Sequence, residues 1–480
     1  MTLSIEGRAR WPALILLCLG ELMIVLDTTI VNVALPSIRA DLGFTETGLV
    51  WVVNAYMLTF GGCLLLGGRL GDLYGYRRLF LAGIALFTVA SLACGLAHTQ
   101  GLLVAARAVQ GVGGAVVSAV ALSLIMNLFT EPGERARAMG VYGFVCAGGG
   151  SIGVLLGGVL TSLLSWHWIF LVNIPVGLAI CAACLVLLPG GRGRRVPGQR
   201  LDVAGAVTIT AALMLAVYAI VGGNAAGWGS AQSLALLGAS AALLAAFLAI
   251  ESRVAAPLVP LALLRLRNLA ISNVVGVLWA AAMFAWFFLS ALYMQLVLGY
   301  DAMQVGLAFL PSNLIMAGCS LGLSAWVVMR FGIRSTLGGG LLLATVGLVL
   351  FALAPVDGRF ALHVLPGMLL LGVGAGIALN PLLLAAMGDV KPEDSGLASG
   401  VVNTAFMMGG ALGLAILASL ADARTQALHE AGAPVQAALN GGYQLAFWVS
   451  AVGALAAALL GGLVLRPAPP PAVGAQAVHT

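Results

Sequence analysis

The chain has 480 residues, of which 61% are hydrophobic and only 8% are charged. A soluble globular protein carries about 25% charged residues, so this composition excludes a soluble enzyme and places the chain in a membrane. The net charge of +5 is spread over short segments between apolar runs, with no basic patch or module that would bind nucleic acid.

The first apolar run, Trp11 to Pro36, reads WPALILLCLGELMIVLDTTIVNVALP. Many similar runs follow it and it has no small-residue cleavage site, so it is read as a retained helix and not a signal peptide. It carries two carboxylates, Glu21 and Asp27. A charge near a bilayer centre is unfavourable by about 2.5–3.5 kcal/mol or more, so intramembrane acids are rare and usually functional.

Further runs of the length needed to cross roughly 30 Å of hydrocarbon give an expectation of fourteen spans. They fall at 12–34, 49–67, 79–97, 101–126, 138–160, 167–188, 203–221, 232–250, 269–297, 305–328, 336–354, 362–386, 398–419 and 443–465. With the N-terminus in the cytoplasm, eighteen of the 22 basic residues lie on the cytoplasmic side and three, Arg39, Arg359 and Arg424, outside. Arg107 alone falls inside a span. The split follows the positive-inside rule and favours an even span count with both termini cytoplasmic.

The chain also repeats itself. Pro132 to Gly153 aligns without gaps on Pro392 to Gly413, with identities that include Pro132/Pro392, Gly140/Gly400, Gly149/Gly409 and Gly153/Gly413. Gly75-Tyr76-Arg77 aligns on Gly332-Ile333-Arg334, and Gly111-Val112-Gly113 on Gly372-Val373-Gly374. Spans 1–6 therefore recur as spans 9–14, with two spans inserted between. The expected organisation is a six-helix bundle over 1–188, two inserted helices with cytoplasmic linkers over 189–268, a second six-helix bundle over 269–466 and a cytoplasmic tail over 467–480. Related halves around a midplane cavity are a common plan of secondary transporters.

Asp27 lies about 10 Å below the outer surface and Arg107 about 9 Å, counting 1.5 Å per helical residue. Unlike charges at matching depth tend to pair. One reading is a titratable centre that exchanges a proton during transport, tuned by Arg107 and by Gln110 one turn deeper. The other is a static pair locking two helices. Glu21 is about 9 Å deeper than Asp27, where burial favours a neutral, proton-bound carboxyl. It is a second proton site, a counter-charge for substrate, or a neutral hydrogen-bonded acid.

GGRLGDLYGYRRLF, from Gly67 to Phe80, lies in the short cytoplasmic loop between spans 2 and 3. Its spacing assigns a gating role to Gly68, Arg69, Gly71, Asp72, Gly75, Arg77 and Arg78. In the second half Met329 stands where the acid would be. Gly149, Gly153, Gly157 and Gly158 on span 5 leave a groove for close helix approach. Candidate cavity residues are Asn54, Tyr56, Trp279, Met283, Trp286, Tyr293, Asn313, Asn380 and Asn403, with bulk packing as the competing reading of the aromatic ones. The seven cysteines lie in apolar runs and imply no disulfide framework. The five histidines sit at span ends, in loops or in the tail, and carry no assigned role. No GxxxxGK[ST] loop is present to couple ATP. A membrane enzyme should cluster nucleophiles, carboxylates or metal ligands at one face, and the sequence has no such cluster; a channel remains a rival.

These motifs resemble the major facilitator superfamily. The GxxxDxxGxRR loop, RAVQGVGGA in span 4 and the span 5 glycines are similar to the superfamily as a whole. LDTTIVNVALP, WHWIFLVNIPVG and YMQLVLGYDAMQVGLAFLP are similar to its fourteen-helix drug:proton antiporter-2 branch. The resemblance runs from about Gly20 to about Gly413. It implies an all-α fold of 6+2+6 helices in a bacterial cytoplasmic membrane and proton-driven export of hydrophobic, cationic or amphiphilic compounds by alternating access. It also implies that Asp27 and Arg107 take part in coupling, and that Gly68, Asp72, Gly75 and Arg77 control the inner gate. A lipid, metabolite or self-made antibiotic exporter is the alternative within transport. Expected partners are the substrate, protons and membrane lipids, with the chain acting as a monomer and no cofactor beyond the coupling proton. Val154 departs from the proline usual on span 5, His167 from an arginine, Met407 and Met408 from a polar pair, and Glu21 from an uncharged residue.

Overall fold

The computed structural model describes residues 10–129, 131–188, 202–254, 257–260, 262–391 and 395–466, leaving aside the side chains at 68, 69, 72, 73, 132, 133, 135, 136, 139, 140, 143, 146–148, 151, 395 and 396. Every regular element among them is helical. The helices are α1 (Arg10–Leu42), α2 (Glu46–Tyr74), α3 (Tyr76–Gly95), α4 (Gln100–Leu128), α5 (Pro132–Leu163), α6 (Trp168–Leu171), α7 (Asn173–Leu187), α8 (Val203–Ala226) and α9 (Ala231–Glu251). They continue as α10 (Arg267–Leu292), α11 (Ala302–Gly318), α12 (Ser324–Ala352), α13 (Leu365–Met387), α14 (Ser395–Glu430) and α15 (Val435–Leu459).

Helix starts follow from local chemistry. Thr45, Thr99 and Asp301 cap α2, α4 and α11, each side chain accepting the N–H three residues on. At α11 the cap is reciprocal, since Gln304 Oε1 accepts the Asp301 N–H at 3.0 Å. Each cap satisfies a donor that the first helical turn leaves without a partner. Between α2 and α3 the chain turns at Gly75, with φ 93° and ψ 128°. At Gly332, inside α12, φ is 80° and ψ 165°, a region essentially confined to glycine.

Twelve described stretches are long and apolar enough to cross a membrane. Ala302–Ala352 counts among them as one run of 51 residues, broken at Gly332, and α5 contributes the shorter apolar piece Ile152–Leu163. α1 packs against α5, α4 and α7; α3 against α4 and α7; α2 against α4. Later in the chain α10 packs on α14 and α15, and α12 on α13 and α15. The two groups meet through α2 with α14 and α5 with α11, while α8 and α9 form a hairpin that leans through α8 on α2 and α14.

The glycines of α5 explain how closely α1 is held. A methyl group at Gly157 would meet the Ile30 carbonyl oxygen at 2.7 Å, and one at Gly153 the Leu26 carbonyl at 3.0 Å. Gly149 faces Leu22 and Val25. One face of α1 thus lies in the α5 groove, while Asp27 meets α4 and α7 and Glu21 lies between Ser118 of α4 and Tyr142 of α5. Gly158 belongs to a different contact: its methyl would meet the Ala302 carbonyl at 2.7 Å, at the start of α11.

Candidate functional site

Asp27, Arg107 and Gln110 form one buried network. Arg107 Nη1 lies 2.5 Å from Asp27 Oδ2 and 2.7 Å from Gln110 Oε1, and its Nε donates to the Val52 carbonyl at 2.9 Å. Gln110 Nε2 donates to Asp27 Oδ1 at 2.7 Å and Asn173 Nδ2 to the same oxygen at 3.3 Å. Ser91 Oγ accepts from Gln110 at 2.8 Å and from Asn173 at 3.4 Å, and donates to the Phe87 carbonyl. The Cys94 thiol donates to Gln110 Oε1 at 3.7 Å. The guanidinium lies 4.5 Å from the Tyr56 ring centroid and 5.6 Å from that of Phe170, within cation–π range.

Asp27 and Arg107 are each 1% exposed and Gln110 is wholly buried. Five helices contribute: α1, α2, α3, α4 and α7, with Phe170 from the short α6. Buried charges need both a partner and satisfied hydrogen bonds, and here both are present. In this state Asp27 is walled off from solvent.

Glu21 stands apart from this network. Ser118 Oγ donates to its Oε1 at 3.1 Å and the Tyr142 hydroxyl makes a second contact. Oε2 is buried without a donor. The two acids therefore differ in kind: Asp27 is saturated, whereas Glu21 keeps an open acceptor.

The loop residues expected to gate fall partly outside the described set: nothing is described of the side chains of Arg69 and Asp72. Gly71 accepts the Gly75 N–H through its carbonyl at 3.0 Å. Arg78 is exposed. Arg77 Nη2 donates to the Leu185 carbonyl at 2.7 Å, tying the loop to the end of α7. The repeat partner does the same, with Arg334 Nη2 donating to the Leu463 carbonyl at 2.8 Å beyond α15.

The cavity candidates scatter. Asn54 is fully buried and donates to the Ala411 carbonyl at 2.8 Å, across the α2–α14 contact. Tyr56 lies over Arg107. Trp279, Trp286 and Tyr293 are core residues; Trp286 packs among Phe287, Phe309 and Phe351, and Tyr293 donates to the Pro355 carbonyl at 2.8 Å. Met283 is half-buried. Asn313 is buried with its Nδ2 free of a partner, Asn380 donates to the Ser320 carbonyl at 2.8 Å, and Asn403 is exposed and bonds back to its own helix at Ser399.

Sequence reasoning missed Ser91, Cys94, Asn173, Ser118 and Tyr142. Asn173 had a signal, as an amide within the apolar FLVNIP stretch. Ser91 had none, because a serine bonding its own helix reads the same way.

The model of the Major Facilitator Superfamily matches residues 17–414. A cephamycin export protein of Amycolatopsis lactamdurans is 39% identical over 450 residues, covering 93% of this chain and 91% of that protein. A puromycin resistance protein of Streptomyces alboniger is 40% identical over 454 residues, covering 93% and 89%. Among solved structures, a bacterial homologue of the lysosomal transporter Spinster superposes with a TM-score of 0.66 at 16% identity, covering 96% of this chain and 98% of that one. The chain belongs to the major facilitator superfamily and is closely related to its drug:proton antiporter-2 exporters.

Proposed function

We propose that this protein is a proton-coupled antiporter that exports hydrophobic, cationic or amphiphilic antibiotics across a bacterial cytoplasmic membrane by alternating access. The observation that carries the proposal is the contrast between the occluded Asp27–Arg107 pair and the open acceptor of Glu21 on the same helix. Glu21 offers its free oxygen to a proton or a cationic substrate. Asp27 exchanges its proton when the halves rock and the pair is opened to the outside. One charge moving through 100 mV supplies about 2.3 kcal/mol, so one or two protons drive a useful gradient. Transport also requires that substrate bind the two facing states with different affinity.

The proposed topology has fourteen spans in a 6+2+6 arrangement with both termini cytoplasmic. A helix of 51 residues would be about 77 Å long, more than twice the hydrocarbon thickness, which supports reading the Ala302–Ala352 run as two spans separated at Gly332. α5, at 32 residues, supplies the other. On this orientation the Gln295–Val33 and Ser162–Met303 bonds lie at the outer ends of the two halves. Gly68, Arg69, Gly71, Asp72, Gly75, Arg77 and Arg78 form the inner gate.

The substrate class follows from the relatives' names, which are those of antibiotic export and resistance proteins. Several of those relatives come from Streptomyces and Amycolatopsis, which favours a self-made antibiotic as one specific reading. The test is drug-stimulated proton movement in proteoliposomes. Coupled exchange in the wild type and its loss in Asp27→Asn are expected; normal exchange in that variant rules out Asp27 as the coupling acid.

A further inference from the structure

Away from the transport network, two more carboxyl groups are buried against each other. Asp202 caps α8, its Oδ1 accepting the Gly205 N–H at 2.7 Å. Glu251 ends α9, its Oε2 accepting the Val259 N–H at 3.0 Å, with the Leu258 amide also directed to the carboxylate. Both residues are 3% exposed. The remaining oxygens, Asp202 Oδ2 and Glu251 Oε1, are buried and neither has a donor. They converge on one point above Gly205, where an added methyl would meet them at 2.5 and 2.8 Å.

Two ionised carboxylates in contact have only lone pairs to offer each other and repel. A single proton removes the conflict: one oxygen becomes a donor and the other accepts. We propose that Asp202 and Glu251 share one proton and form a proton-binding latch on the cytoplasmic side of the inserted α8–α9 hairpin.

The latch holds something that matters to the transporter. The segment whose amides bind Glu251 places Leu258 in an apolar cluster with Leu65 of α2, Ala206 of α8 and Val401 of α14. That cluster sits at the inner end of the α2–α14 contact between the two halves. Gly205 of α8 faces the pair, and Leu66 of α2 and Leu397 of α14 pack against the apolar cluster beside it. Arg253, next along from α9, is exposed. Arg69, Arg200 and residues 392–394 lie outside the described set. With the proton bound, the hairpin, the Leu258 segment and the inner seam are one packed unit. Without it, the carboxylates push apart and the segment is released.

The test uses the full chain in lipid vesicles. Infrared difference spectra between acid and alkaline buffer are expected to show the carbonyl stretch of a protonated carboxyl that disappears on alkalinisation. Glu251→Gln, which supplies an amide donor to Asp202 in place of the proton, is expected to lose one carboxyl's share of that band, as is Asp202→Asn, which keeps the helix cap. Asp27→Asn is expected to retain it, so the latch stands or falls separately from coupling at Asp27. In exchange assays with outer pH fixed, the dependence of rate on cytoplasmic-side pH is expected to be weaker in Glu251→Gln than in the wild type, with the part due to coupling at Asp27 remaining. A band undiminished in both latch variants, or an unchanged pH dependence in Glu251→Gln, overturns the proposal.

Discussion

Arg107 and Asp27 meet at 2.5 Å with 1% or less of either side chain exposed, and no oxygen of Asp27 is left without a donor. Removing one member of such a pair strands the other charge, at about 3–5 kcal/mol. Asp27→Asn should therefore lower thermal stability as well as abolish exchange, because Arg107 stays buried. The double variant Asp27→Asn with Arg107→Gln should recover most of the stability and none of the transport. Melting in detergent beside proton-coupled uptake separates the two effects. If the double variant melts as low as the single one, the loss does not come from a stranded charge.

Gly158 carries the contact between α5 and α11, with the Ala302 backbone carbonyl 2.7 Å from an added methyl. Backbone cannot step aside as a side chain can, and overpacking typically destabilises by about 1–3 kcal/mol. Gly158→Val should leave the protein folded, part α5 from α11 and slow transport. A cross-link between cysteines at 162 and 303, in a chain lacking its native cysteines, should form readily without the substitution and poorly with it. Equal yields would mean that α11 accommodates the side chain.

Gly332 and Gly75 hold the same kind of turn in the two repeats. Each adopts positive φ, and two residues later an arginine bonds a carbonyl at the end of its half. Gly332→Ala should destabilise by about 1–3 kcal/mol, the strain of a non-glycine residue there. Gly339 is helical and an added methyl meets nothing within 4 Å. Gly339→Ala should be neutral or stabilising by about 1 kcal/mol. Thermal melts of the pair, at matched detergent, test whether backbone conformation and not methyl volume decides the outcome.

The repeat shows what sequence can carry. Gly75-Tyr76-Arg77 and Gly332-Ile333-Arg334 were alignable because turn and arginine are both local features. Asp27 and Arg107 were pairable because an isolated charge in an apolar run has few ways to be satisfied, and depth along a helix is a matter of counting. Ser91 and Asn173 were not, since their partners depend on how α3 and α7 are rotated about their axes. The same limit applies to Trp279 and Trp286: their spacing fits a cavity wall or a core, and only the neighbouring helices, with Phe309 and Phe351, put Trp286 inside. The break at Gly332 was legible both in the repeat and in the separate apolar runs 305–328 and 336–354, although the helical stretch Ala302–Ala352 is otherwise continuous.

Glu21 gives the sharpest test of substrate charge. Its Oε1 is held by Ser118 at 3.1 Å while Oε2 has no donor, so the carboxyl is positioned but not satisfied. A buried acceptor without a partner is unfavourable by about 1–3 kcal/mol, and a bound proton or a substrate cation relieves it. Glutamine keeps the shape and the Ser118 bond but removes the charge. Glu21→Gln should therefore weaken export of cationic drugs by about tenfold or more, corresponding to at least 1.4 kcal/mol. Export of neutral hydrophobic drugs of similar size should change little. The ratio of the two rates in one vesicle preparation is the measurement, because a folding defect lowers both rates together. Equal loss of neutral and cationic export, at unchanged melting temperature and yield in the vesicles, would show that Glu21 does not select substrate by charge.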